Sequence, residues 1–119
     1  LTGAIAAILS NQATSYRELW LDASGKPESL YDNGATTAVS GSAITAGIVS
    51  KAAFTLSGTT LTAYRNGVAG TLQTIGAAGG GDTNLYVGCR VTSAGQLSGN
   101  IRNVKIYSAS LSSGQVAAL

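Results

Sequence analysis

The sequence predicts an all-β fold, a sandwich or a barrel of short strands joined by tight turns. Three observations carry this. Gly occurs 16 times and Pro once, and Thr, Ser, Val, Ile and Tyr recur in short stretches between the glycines. Several of those stretches alternate apolar and polar side chains with a period of two, the signature of a half-buried strand. Two Asn-Gly pairs, Asn33-Gly34 and Asn66-Gly67, tolerate the positive φ angles of a type I′ hairpin turn.

Taken in order, Gly3 to Leu9 is apolar enough for strand or helix, and the all-β context favours a strand. Tyr16 to Asp22 alternates cleanly, with Tyr16, Glu18, Trp20 and Asp22 on one face and Arg17, Leu19 and Leu21 on the other. Ala23 to Pro27 is a turn, and Leu30-Tyr31-Asp32 runs into the first Asn-Gly. A strand over Ala53–Leu56 ends at the turn pair Ser57-Gly58. Thr60–Arg65 follows, reverses at Asn66-Gly67, and Val68 to Ile75 is expected to return as its partner. Gly76 to Asp82 is a glycine-rich loop; no Lys-Ser/Thr follows it and no helix begins there, so it is not a phosphate cradle.

Asn84 to Val91 places Leu85, Val87, Cys89 and Val91 on one face, predicting a further half-buried strand. After a turn at Ser93-Ala94-Gly95, the stretch Gln96 to Tyr107 is expected as a strand. Its apolar residues Ile101, Val104 and Ile106 change face once, which places a bulge near Arg102-Asn103. Leu111 to Leu119 carries a Ser cap signal and reads as a short helical turn, with Leu111 and Val116 facing the sheet.

Composition narrows the function. The 119 residues are read as one domain, and a chain without Met is expected to be a piece of something larger. Seven basic and five acidic residues give a net charge of +2, and charged residues are only 10% of the chain. The scattered basic residues argue against nucleic-acid binding, which needs clustered Lys and Arg. No apolar run approaches the roughly 20 residues of a membrane span. With no His, imidazole acid–base chemistry and a His-based triad are excluded. The single Cys89 is read as a small buried hydrophobe, the alternative being an interchain bridge or a reactive thiol.

Four pieces in the second half resemble the concanavalin A-like lectin/glucanase superfamily, particularly its laminin-G-like members. They are Thr60–Gly67 as a hairpin ending in Tyr-x-Asn-Gly, Leu85-Tyr86-Val87-Gly88, Gly99–Tyr107 as a penultimate strand, and Leu111–Leu119 as a closing Leu-Ser-x-x-Gln-Val-x-x-Leu. The resemblance covers residues 51–119. It implies an antiparallel two-sheet jelly-roll sandwich with a short C-terminal helical turn. The chain is shorter than is usual for that family, which implies missing strands or strands supplied by a neighbouring subunit, and hence a homo-oligomer.

Hydrolysis by the glucanase branch would need paired carboxyl groups about 5–5.5 Å apart. Glu18 and Asp22 share a strand face, but four residues along a strand span about 13 Å, and Trp20 stands where the family's central Asp would be. No enzymatic activity is expected. The same face suits binding: Tyr16 and Trp20 can stack on a sugar ring while Glu18 and Asp22 hydrogen-bond to it. The alternative is that Trp20 fills the core with Glu18 and Asp22 at the rim. No cofactor is expected. Calcium, an option the resemblance raises, would have only the isolated oxygens of Asp82-Thr83-Asn84 and Asp32-Asn33, which suit turns better. The expected function is a structural and adhesion module of a virion (a phage tail or capsid accessory) or another extracellular assembly, with protein subunits as partners and glycan attachment as an added role. The alternative is a dedicated carbohydrate-binding module of a secreted protein.

Overall fold

The computed structural model describes residues 6–12, 16–31, 36–76, 84–89 and 95–119. Their strands form two antiparallel sheets packed as a β-sandwich. Sheet A runs in the order β4 (Thr36–Val39), β3 (Pro27–Tyr31), β2 (Tyr16–Leu21), β1 (Ala6–Gln12), β9 (Tyr86–Val87). Sheet B is β5 (Ala52–Ser57), β6 (Thr60–Arg65) and β7 (Val68–Ala69), with β8 (Gln73–Thr74) also on β6. A single helix among the described residues, α1 (Ser113–Ala117), closes the chain.

The core lies where β6 crosses β3 and β4. Leu61 and Ala63 of β6 pack with Ala38 of β4 and with Ile75, and Phe54 and Leu56 of β5 lie against them. Alternation along β6 sends Thr60, Thr62 and Tyr64 to the opposite face of sheet B. The β5–β6 hairpin reverses at Gly58, and the β6–β7 hairpin reverses at Asn66-Gly67 with φ of 50° and 80°. That tip also receives the helix: the Gly67 Cα lies so close to Ala117 that an added Cβ would stand 2.6 Å from the Ala117 Cα. Ser112 caps α1 in a capping box with Gln115, and Val116 is buried while Leu111 is half-buried.

The expected return strand over Val68–Ile75 is interrupted. Tyr64 pairs with Ala69 and Leu61 with Gln73, so three steps on β6 face four on the return, a one-residue bulge. The interruption is where the two sheets touch. The Thr71 N–H donates to the Val39 carbonyl of β4 at 3.2 Å, and the Gly70 N–H donates to the Ala63 carbonyl at 2.8 Å.

Two expected strands are corrected. Within Asn84–Cys89, the described part of the expected strand Asn84–Val91, the ladder is confined to β9, because Gly88 at φ 80° turns the chain away after two ladder residues. Leu85 and Val87 therefore stand about half exposed at the sheet edge, and Cys89 is half-buried and in no disulfide. Gln96–Tyr107 forms no ladder among the described residues. Its backbone leaves extended geometry at Asn103 (φ 55°), the position expected to bulge, and Val104, Ile106 and Tyr107 are exposed. Apolar alternation supplies one side of a strand; a ladder also needs a partner in register. The beginning of the first expected strand, the Asn33-Gly34 turn, most of the glycine-rich loop, Arg90-Val91 and Ser93-Ala94 lie outside the described residues. Among the described residues no helix is long and apolar enough to cross a membrane.

Candidate functional site

β2 sits in the middle of sheet A, between β1 and β3, and that position decides what its side chains do. Leu19 and Leu21 are buried on one face, and Glu18 and Trp20 are buried on the other. Glu18 is 0% exposed and accepts a 2.6 Å hydrogen bond from the Ser10 hydroxyl, its cross-strand neighbour on β1. Trp20 is 8% exposed and lies between Ala7 of β1 and Glu28 of β3 in the register. The indole and the Glu18 carboxylate are thus both buried, on the face of sheet A opposite that of Leu19 and Leu21.

Asp22 is at the rim and is occupied with the chain reversal. Its Oδ1 accepts the N–H groups of Ser24 at 2.8 Å and Lys26 at 2.9 Å. Its backbone accepts from the Gly25 N–H, and its own N–H donates to the Lys26 carbonyl. This is an Asx-type turn, in which a short carboxylate stands in for backbone acceptors. Tyr16 begins β2, opposite Gln12. Tyr16, Glu18 and Trp20 thus lie on β2 and Asp22 just beyond its end; Glu18 and Trp20 are buried and Asp22 is a turn former. Of the calcium candidates, Asp32, Asn33, Asp82 and Thr83 lie outside the described residues, and the Asn84 carbonyl accepts from the Asn11 side-chain amide at 2.9 Å.

Two concave surfaces stand out among the described residues. One is an open groove of about 1550 Å³ between the sheets, with Leu9, Leu19 and Leu21 on one wall, Phe54 and Leu56 on the other, and the Ile101–Tyr107 stretch along its mouth. The other is a depression of about 340 Å³ on the outer face of sheet B. Its floor is Thr55, Ser57, Thr60, Thr62 and Tyr64, and its wall is Ser110 to Ser113, with Leu111 the one apolar member. The Tyr64 Oη and Thr55 Oγ1 are 3.3 Å apart. Hydroxyls both donate and accept, and their density here, without a charged group, suits a neutral polyhydroxylated ligand. Sequence reasoning missed this surface, although its signal was present in the alternation of Thr60, Thr62 and Tyr64 opposite Thr55 and Ser57.

The fold that carries these surfaces is matched along almost the whole chain. The family model of the laminin-G type, described as concanavalin A-like lectin/glucanases superfamily, matches residues 1–117. The chain belongs to the concanavalin A-like lectin/glucanase superfamily. The match extends over the first half as well as the stretch after residue 51 on which the sequence motifs lie. No curated protein sequence matches this concanavalin A-like domain. Among solved structures it is similar to the crystal structure of residues 221–444 of an S-layer domain-containing protein from Clostridium thermocellum ATCC 27405. The TM-score is 0.54 at 24% identity, over 98% of this chain and 63% of that one. The domain thus spans less than two thirds of that structure, and the likeness concerns the fold.

Proposed function

We propose that this concanavalin A-like domain is a non-catalytic structural and adhesion module of an extracellular or cell-surface protein, and that it contacts neutral glycan through the hydroxyl-lined depression on sheet B. The observation that carries the non-catalytic reading is the employment of the β2 acids. A retaining or inverting hydrolase needs two carboxyl groups facing one sugar; Glu18 is instead bonded to Ser10 in the interior, and Asp22 holds a turn. The depression supports the glycan reading by its size, at the small end of ligand pockets, and by its uncharged hydroxyl lining. Family membership and the S-layer domain-containing neighbour support an extracellular setting. The virion setting is a finer reading, and what supports it is the low charge of the chain.

A glycan array probed with the wild type, Thr60→Val and Tyr64→Phe tests this. Each variant removes one hydroxyl and is expected to weaken binding about 2–10-fold, the worth of one neutral hydrogen bond, with the melting temperature little changed. Incubation with the same polysaccharides should release no reducing sugar. Binding that both variants leave intact would remove the depression from the account, and sugar release abolished by Glu18→Gln would overturn the non-catalytic reading.

A further inference from the structure

Of the hydroxyls that line the depression on sheet B, that of Thr62 differs from the rest. Thr62 is 4% exposed, and alternation along β6 turns it to the same face as Thr60 and Tyr64. Thr55 stands directly opposite it on β5, the usual place for a cross-strand threonine pair. That partner is taken. The Thr55 hydroxyl lies instead 3.3 Å from the Tyr64 Oη. On the other side the register jumps from Leu61–Gln73 to Tyr64–Ala69, so the bulge leaves Thr62 no register partner there. Among the described residues the Thr62 hydroxyl has no hydrogen-bond partner, yet its oxygen is not sealed from solvent.

The other lining hydroxyls are more open or are engaged. Ser57, Ser110 and Ser113 are exposed and Thr60 is half-buried. Ser112 accepts from the Gln115 N–H and donates to the Gln115 side chain. Exposed hydroxyls trade bonds to water for bonds to a ligand at little net gain. At Thr62 the exchange is different. Solvent reaches its hydroxyl through the depression, so a ligand that fills the depression displaces that solvent. A ligand hydroxyl replaces the lost bond; a methylene or a methyl ether leaves a nearly buried polar group unpaired.

We propose that Thr62 is the specificity-determining residue of this depression, and that it selects a neutral sugar by one free hydroxyl of the ring. The proposal rests on the glycan reading of the depression and deepens it. The sugar enters with that hydroxyl toward Thr62, and Leu111 on the wall is the apolar side chain that meets its C–H face. A hydroxyl left unpaired by the fold adds nothing to stability, which separates this role from a structural one. Thr62→Val keeps the branched shape that suits a strand and removes the hydroxyl. Its melting temperature is therefore expected at or above that of the wild type, while its sugar binding falls.

Titration with the methyl glycosides of glucose, galactose and mannose and with their monodeoxy analogues, followed by NMR, tests this. The wild type should bind at least one parent sugar and lose about 10-fold or more in affinity when one particular ring hydroxyl is deleted. Thr62→Val should bind the parent sugar as weakly as the wild type binds that deoxy analogue, and should not tell the two apart. Thr62→Ser, which keeps the hydroxyl, should preserve the preference, and Thr60→Val should weaken both ligands alike. Three results would overturn the proposal and leave the glycan reading standing. They are a wild type indifferent to every deletion, a Thr62→Val variant that retains the preference, and a Thr62→Val variant that is destabilised or unfolded, which would give the hydroxyl a structural role. A positive glycan array with none of the parent sugars bound would overturn it as well. A negative array removes the glycan reading, and this proposal with it.

Discussion

Replacing Trp20 with alanine is expected to destabilise the domain by about 3–5 kcal/mol, a fall of roughly 10–20 °C in melting temperature at this size. The indole is 8% exposed in the central strand of sheet A, so its removal costs both the transfer of a large apolar ring and a cavity that the surrounding strands close only in part. Small domains have about 0.05–0.15 kcal/mol of stability per residue, so the loss is a large share of the whole. Thermal unfolding of the wild type and Trp20→Ala measures it. A variant as stable as the wild type would mean that the ring does not fill the interior. The same comparison bears on glycan binding: if binding falls only in proportion to the unfolded fraction, the ring is structural.

The second large effect is expected at Gly70, for a steric reason. A Cβ added there would stand 2.0 Å from the Val39 carbonyl oxygen and 2.6 Å from the Ser40 Cα, and both are backbone atoms of sheet A. No rotamer change relieves such a contact, so the β7–β8 bulge and β4 must separate. That strains the Thr71-to-Val39 hydrogen bond that joins the sheets and the neighbouring Gly70-to-Ala63 bond within sheet B. Gly70→Ala is expected to cost about 3 kcal/mol, at the upper end for overpacking. Gly41→Ala, where an added Cβ meets nothing within 4 Å, should stay within about 0.5 kcal/mol of the wild type. Urea unfolding of the two variants makes the comparison. Equal stabilities would show that the sheets do not approach each other at Gly70.

The features legible in the sequence are those decided by local chemistry. The limits of β6 at Thr60 and Arg65, the reversal at Asn66-Gly67 and the Ser112–Gln115 capping box each follow from a few adjacent residues, and each is present. What escaped depends on distant neighbours. The alternation of Tyr16–Asp22 correctly separated the two faces of β2, but not that its central place in the sheet would bury Glu18 and Trp20 as well as Leu19 and Leu21. The pattern of Gln96–Tyr107 is that of a strand, yet a ladder needs a partner brought into register, which the local pattern does not supply, and none forms there among the described residues. Gly70 reads as one glycine among many until β4 is seen to pass beside it. The hydroxyl-lined depression needs the Ser110–Ser113 stretch to fold over β5 and β6, a contact that spacing along the chain does not reveal.

The burial of Glu18 and Trp20, on the face of β2 opposite the one that Leu19 and Leu21 turn to the groove between the sheets, is the claim on which the rest depends. Because the chain has a single tryptophan, the fluorescence of the unliganded wild type reports on that face alone, and quenching by acrylamide and iodide tests it directly. Blue-shifted emission, weak acrylamide quenching and almost none by iodide are the result the packing predicts. Red-shifted emission quenched readily by both would place the ring at the surface, as a stacking platform for sugars, and would contradict the account.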